Sequence, residues 1–455
     1  MSKPHLVVVG GGPAGMAAAG QAACFGMAVT VLDESAALGG QYFRGRQDSK
    51  MDGSPGRFLD AHNEVEVLLE TLVVDAPMDG QLSIWNEARG VLALPYDALI
   101  IATGAYDRPV ALPGWTLPGV FTAGGASTLA KAYGVTPGHR LLVAGSGPFL
   151  LSVADDLSIK GCQVEVIEAT PLSTSIRGLP IIARDPEIMR QTLGFLTRLS
   201  ARRVRRRYGH IVTSIHGQDR VEAATIQKVD DEWRPVPSSE KTIAVDGVCL
   251  GFGFVPQLEL AQALECAIDY DEAASEFSIR IDDSLRTSRP RIYAAGEVTG
   301  IGGVRGALAE GQLAGLTSVY DAGLINSETY TIERKHMVAR LAHIRPVANW
   351  LRQAYRPRSG LWSLAESTTM LCRCEDVTLA TAEAALANNP PTPYAVKTAT
   401  RAGMGLCQGR ICSPYLIEWL RARHNYRIPR GDRPWRIRPP LRPVPLGDWL
   451  APEVA

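Results

Sequence analysis

Apolar residues fall along this chain in short β-branched blocks, each followed by glycine and then by a helical stretch. His5–Val9 (HLVVV) is a continuous apolar run, the pattern of a parallel strand buried on both faces. Gly10-x-Gly12-x-x-Gly15 follows, and the small apolar residues of Met16–Phe25 predict a helix. A second run, Val29–Leu32, ends at Asp33 and Glu34. Strand, glycine turn, helix, strand and acid stand in the order of a dinucleotide-binding β-α-β unit. Gly10 permits the tight turn, Gly12 lets a pyrophosphate approach the backbone, and Gly15 lets helix and strand pack closely. The phosphates would lie on the free amides of the helix N-terminus. Asp33 holds the place of an acid that bonds a ribose hydroxyl, with Glu34 beside it.

The pattern recurs. Leu141–Val143 is a strand, Gly145 and Gly147 repeat the first two glycines, and Leu150 stands at the third place. A helix and the run Val164–Ile167 lead to Glu168, which lies as far beyond Gly145 as Asp33 lies beyond Gly10. This is an internal duplication of the unit. An acid at the strand end repels a 2′-phosphate, so the second unit suits NAD(H) better than NADP(H). Leu150 in place of glycine is expected to loosen helix against strand. The second unit is then either a working NAD site or a retained scaffold with an altered pocket.

Two later segments, DALIIATGAYDRP and RIYAAGEVTGIGG, are strands closed by Ala102-Thr103-Gly104 and by Gly296-Glu297. They resemble the crossover and return segments of two-dinucleotide-domain flavoprotein reductases, with Glu297 where aspartate is usual. The fold class expected is α/β, Rossmann-like with two dinucleotide-binding domains, plus a small α-helical [2Fe–2S]-type domain for the reasons below.

Composition narrows the classes. Lys and Arg total 47 against 47 Asp and Glu, so there is no electrostatic reason to expect nucleic acid or an anionic membrane as partner. No apolar run reaches the ~20 residues of a membrane span. The opening residues lack the basic and apolar regions of a leader, so no signal peptide is expected. The localisation expected is cytoplasmic, or peripheral at a membrane through an acceptor. Thr197–His210 carries a dense arginine run, expected to be a solvated helix face.

Of eight cysteines, Cys24, Cys162, Cys249 and Cys266 are scattered in apolar contexts and are expected to be buried and inert. The other four form Cys372-x-Cys374, then, after 32 intervening residues, Cys407-x4-Cys412. A C-x-C pair is a poor zinc knuckle. Four thiolates also hold an iron–sulfur cluster, and the glycine-rich AGMGLCQGRIC frees backbone to wrap round one. A [2Fe–2S] cluster is the leading reading, with zinc or free thiols as alternatives. Two helices are expected between the pairs, Thr378–Ala387 and Pro393–Arg401. Ser413 is expected to cap the next helix, with Pro414 at its first position.

GGGPAGMAAA, LDES…LGGQYFRG, IATGAYDRPVALPGWTLPGVFTAGGA, VCLGFGFVPQLEL, AAGEVTGIGG and LCRCEDVT…MGLCQGRIC together resemble the A-type or α-type components of heteromeric flavin-dependent amino-acid and opine oxidases and dehydrogenases. The group includes the A component of opine oxidase, the B component of hydrogen cyanide synthase and the α component of D-hydroxyproline dehydrogenase. The cysteine segment is similar to the bacterioferritin-associated ferredoxin-like (BFD-like) [2Fe–2S] domain. The resemblance spans nearly the whole chain. It implies that a catalytic B-type or β-type partner, of D-amino-acid-oxidase-like shape, oxidises an amine on its own FAD. Electrons then reach this chain, in many members through an FMN at the subunit interface, and leave through its cluster to a downstream acceptor. Gly10, Gly12, Pro13, Ala14, Gly15, Asp33, Glu34, Gly40, Gln41, Arg44, Ala102, Thr103, Gly104, Gly296 and Glu297 would line the first site, holding FAD or another adenine nucleotide. Cys372, Cys374, Cys407 and Cys412 would hold the cluster. The runner-up is a self-sufficient NAD(P)H-dependent flavoprotein reductase.

No G-x-S-x-G, no H-E-x-x-H and no acid–base cluster marks a catalytic residue. The expected division is a first dinucleotide domain over 1–110 and 246–330, an inserted NAD-like domain over 111–245, a linker over 331–365, a cluster domain over 366–425 and an Arg/Pro-rich tail over 426–455. Trp435 and Trp449 suit the tail to docking, on a partner or on the chain's own surface.

Overall fold

The computed structural model describes residues 3–44, 65–429, 431 and 435–450. Two five-stranded parallel sheets organise these residues. The first runs Ile292–Ala294, Ala98–Ile101, His5–Val9, Ala28–Leu32, Val65–Leu68. The second runs Arg205–Tyr208, Gln163–Glu168, Arg140–Gly145, Gly247–Gly251, Val120–Thr122. Ala105–Asp107 leaves the first sheet and Phe254–Pro256 returns to it, and the two strands pair antiparallel. The fold is Rossmann-like with two dinucleotide-type units, the second inserted in the first.

The strand His5–Val9 is central in its sheet, which is why it reads as unbroken apolar sequence. Leu6 and Val8 pack with Ala14, Ala18 and Ala22 of the helix Pro13–Cys24. Val7 and Val9 point to the opposite core, with Leu99 and Ile101. The Pro13–Cys24 helix also packs closely on Gly303–Asp321. A Cβ on Gly311 would lie 2.1 Å from the Ala14 carbonyl oxygen, and one on Gly315 2.4 Å from that of Ala18. Glycine one turn apart lets the two backbones touch.

Several expectations need correction. The stretch expected as a linker is mostly helix: Ser327–Ala354 is one 28-residue helix, and Ser359–Ser363 a 3-10 turn. It lies against folded neighbours, with Leu341, Ile344 and Val347 buried. The arginine run is only part helix: the helix Pro186–Ala201 covers its first residues and ends there, and Arg205–Tyr208 is the sheet edge, paired with Glu165–Glu168. Cationic side chains suit an edge strand because they oppose pairing with another chain. Arg198 and Arg202 both reach the buried carboxylate of Asp155. Cys162, Cys249 and Cys266 are buried, but Cys24, in the last turn of its helix, is exposed. Leu150 does not loosen the second unit. It is buried, and its Cδ2 fills the space above Gly251, where a Cβ would come within 2.9 Å.

The cysteine segment folds as a β-bridge pair, Met370–Cys372 with Val377–Thr378, and helices Leu379–Leu386, Pro393–Thr400 and Cys412–His424. Thr378 and Thr392 cap the first two, accepting from the Thr381 and Ala395 amides. Ser413 is not a cap: the third helix starts at Cys412, so Ser413 lies inside its first turn. This segment and the second unit share one core, in which Leu371, Val377 and Trp419 join Leu142, Val248 and Phe252. The described part of the tail lies on the chain's own surface, where Trp435 and Leu441 are buried.

Candidate functional site

The first glycine loop draws the predicted residues round one helix N-terminus. Gly10 has φ +109°, and a Cβ there would lie 2.2 Å from the Ala102 carbonyl oxygen. The turn thus rests directly on Ala102-Thr103-Gly104. A Cβ on Gly15 would meet the Gly10 carbonyl oxygen at 1.8 Å, so helix and loop touch. Above Gly12 the nearest atom is Gly40 Cα, 3.8 Å from such a Cβ. The helix starts at Pro13 with no side-chain cap, so its first amides are free for an anion. Gly296, with φ +83°, packs on Ala14 from the other side, and its amide donates to Glu310 (3.0 Å).

Asp33 is buried and latches the loop. Its Oδ2 accepts from the Gly11 amide (2.7 Å) and its Oδ1 from the Ser35 amide (2.7 Å). Glu34 is exposed and pairs with Arg442 of the tail (3.1 Å). Gln41 Oε1 accepts from Thr128 (3.1 Å), Arg44 donates to Ser35 (2.8 Å) and Thr103 to the Gln257 carbonyl (2.9 Å). Glu297 Oε1 accepts from the Gly303 amide (2.8 Å) at the start of the Gly303–Asp321 helix. Burial pushes its carboxyl up to about 7, against the Gly303 amide and with help from Glu276 and Glu310. A free helix end, a glycine cradle and a latched acid fit the pyrophosphate and ribose of an adenine dinucleotide.

The second loop repeats the latch. Glu168 Oε2 accepts from the Gly147 amide (2.8 Å) and Oε1 from the Thr170 amide (2.9 Å). Burial pushes its carboxyl up to about 7 despite these bonds. Here the space over the loop is taken by the chain itself. Tyr355, which ends the Ser327–Ala354 helix, lies 3.5 Å from where a Gly147 Cβ would be. Its carbonyl accepts from Ser146 (3.1 Å) and its hydroxyl bonds Ser175 (2.9 Å). Trp350, one turn earlier, fills the notch at Gly178 and meets Tyr355 edge-on, 5.9 Å between centroids. No motif announces Tyr355 or Trp350; only the docking of the long helix brings them there.

The four cysteines converge in two pairs. The Cys412 thiol donates to Cys372, which lowers the Cys372 thiol to about 5 against burial, helped by the Gly403, Glu375 and Cys374 amides. The same bond raises Cys412. Cys374 accepts from the Cys407 amide, which lowers it, but burial and the Cys407 sulfur outweigh this and raise it. Among the described residues no three His, Cys, Asp or Glu side chains are set round one metal ion. Two adjacent sulfur pairs suit a two-iron group better than a single tetrahedral ion. Left-handed turns at Arg401, Gly403, Gln408 and Gly409 wrap the loop, and a Cβ on Gly405 would lie 2.3 Å from Cys374 Cβ.

Comparison with known proteins bears on both sites. Residues 4–312 match the profile described as pyridine nucleotide-disulphide oxidoreductase. The chain belongs to that family. Residues 370–422 of this family member match the BFD-like [2Fe-2S] binding domain. It is 33% identical to the A component of the opine oxidase of Rhizobium meliloti, over 98% of each chain. It is 31% identical to HcnB, a component of the hydrogen cyanide synthase of Pseudomonas protegens, over 97% of this chain and 96% of that one. In structure it is similar to L-proline dehydrogenase from P. horikoshii, with TM-score 0.70 and 18% identity over 99% of this chain and 81% of that one. The first sheet is thus an FAD-binding Rossmann unit and the cysteine segment a [2Fe–2S]-binding domain. The chain is an oxidoreductase subunit that transfers electrons toward a [2Fe–2S] cluster. Among the described residues no helix is long and apolar enough to cross a membrane.

Proposed function

We propose that this chain is the A-type or α-type electron-transfer component of a heteromeric opine or amino-acid oxidase or dehydrogenase. A separate, D-amino-acid-oxidase-like partner would oxidise the amine and deliver electrons here, by way of an FMN where the two chains meet. A flavin takes up two electrons together, whereas a [2Fe–2S] cluster passes them singly. This chain's own residues bind and orient. The free amides that flank Pro13, those of Gly12 and Ala14, and the Asp33 latch hold the dinucleotide, with Glu34, Gly40, Gln41, Arg44 and Gly296–Glu297 at its margins. Cys372, Cys374, Cys407 and Cys412 hold the cluster. The long helix replaces the linker of the expected domain division.

The carrying observation is Tyr355 on the second glycine loop. Tyr355 packs against Gly147, whose amide already donates to Glu168, and its bonds to Ser146 and Ser175 hold it there, so a nicotinamide dinucleotide would have to compete with both. This favours a relay fed by a partner over a self-sufficient reductase. The names of the opine oxidase and hydrogen cyanide synthase components support the same reading.

The test is anaerobic mixing of the purified chain with NADH or NADPH while flavin and cluster absorption are followed. The expected result is no bleaching until an amine-oxidising partner and its substrate are added. Fast bleaching by NADH alone would replace this reading with the reductase.

A further inference from the structure

Trp435 lies in the tail, beyond residue 422 where the matched cluster domain ends. It is only 5% exposed. Its indole fills a notch that two glycines leave. A Cβ on Gly403 would lie 2.1 Å from Trp435 Cζ2, and one on Gly409 2.5 Å from Nε1. These two glycines bracket Cys407, and the Gly403 amide donates to Cys372. The indole N–H is buried with no hydrogen-bond partner among the described residues. A buried unpaired donor is disfavoured by about 1–3 kcal/mol, so a donor held against a thiolate loop calls for an acceptor there.

A second group joins it. The Lys397 ammonium lies 4.7 Å from the centroid of the Trp435 ring that fills the notch at Gly403 and Gly409. The tail is held in this place along its length. Gln408 donates to the Pro440 carbonyl (2.5 Å) and Arg410 to the Leu441 carbonyl (2.6 Å). The Leu441 amide donates to Val74 (2.6 Å), and Arg442 reaches Gln257 (3.0 Å) as well as Glu34. The strap thus ties the cysteine loop to the first dinucleotide unit.

We infer that Trp435 is a positioning residue of the cluster site, whose indole N–H, backed by the Lys397 charge, stabilises negative charge on the thiolate-held group and raises its reduction potential. Reduction adds one electron to a centre already anionic through four thiolates. A donor and a cation alongside therefore favour the reduced form. The inference rests on the four cysteines holding the [2Fe–2S] cluster.

The test is a redox titration of the full, iron-loaded chain, followed by electron paramagnetic resonance, for wild type, Trp435→Phe and Lys397→Met. Trp435→Phe keeps an aromatic ring and removes the N–H. The expected result is an altered resonance and a potential lowered by about 59 mV, a tenfold change for one electron, at unchanged iron content. Lys397→Met keeps the stem on the ring, removes the charge, and should lower the potential in the same direction. A Trp435→Phe potential and spectrum equal to wild type would overturn the inference. Should Trp435→Phe fail to load iron, an unchanged Lys397→Met potential would overturn it as well. A wild-type chain that holds no iron after reconstitution would instead refute the cluster assignment itself.

Discussion

Replacing Tyr355 with alanine separates the closed second loop from an open one. The ring is half-buried, lies over Gly147, bonds Ser175 through its hydroxyl and meets Trp350 edge-on. The hydroxyl bond contributes about 1 kcal/mol and the aromatic edge a similar amount. Truncating a ring that is only half-buried costs less than the full large-to-small penalty. These contributions overlap, so the variant should lose roughly 3 kcal/mol, a melting temperature lower by several degrees. The Ser146 bond to the Tyr355 carbonyl survives, because it is backbone. The vacated space opens the face of the Gly147 loop on which Tyr355 lies. NADH binding, followed by calorimetry or by quenching of tryptophan fluorescence, should be weaker than about 1 mM in wild type. In Tyr355→Ala it should tighten at least about tenfold, a gain of about 1.4 kcal/mol. Micromolar NADH binding by the wild type, unchanged in the variant, would refute the argument that Tyr355 closes the loop.

Three further outcomes follow from the same geometry. The Glu168 carboxyl sits at about 7 in the fold, above its ordinary value of 4.5. Its contribution is therefore complete below pH 4.5 and is lost as pH rises toward 7, on the order of 3 kcal/mol. Glu168→Gln should flatten melting temperature against pH across that window, and an unchanged slope would exclude Glu168 as its source. Gly405→Ala places a methyl 2.3 Å from Cys374 Cβ, so it should cut iron content sharply while the first unit still binds flavin; full iron loading would contradict that packing. Asp33→Asn turns an amide donor toward the Gly11 or Ser35 amide, each of which now donates to a carboxylate oxygen. It should cost about 1–3 kcal/mol in stability and weaken flavin retention on dialysis. Wild-type retention would mean the latch does not shape the site.

Much of the first site was legible in order along the chain, because each part carries a local physical signature. An unbroken β-branched run is the mark of a strand covered on both faces, and His5–Val9 occupies that place. Gly10 and Gly15 stand where a backbone oxygen leaves no room for Cβ. The duplication was legible too, through the equal spacing of Asp33 and Glu168 from their loops, and both acids latch a loop amide, Asp33 that of Gly11 and Glu168 that of Gly147. The spacing of four cysteines announced a metal or cluster site, and the fold gathers their sulfurs in two pairs.

Other features depend on contacts between residues far apart in sequence, which no local pattern encodes. Residues 331–354 read as a linker because their apolar positions are sparse; the helix they form is held by its neighbours. Leu150 read as a defect because its compensation, Gly251, lies on another strand. Tyr355 and Trp350 carry no motif, yet their docking closes the second loop. Trp435 lies in a proline- and arginine-rich tail that forms no core of its own, and only the notch between Gly403 and Gly409 gives it a place. The sequence by itself determined the central strands, the glycine loops and the spacing of the four cysteines, since backbone sterics and side-chain period act locally. The tertiary structure alone decided which of the two like nucleotide loops stays open, since that depends on what packs across it.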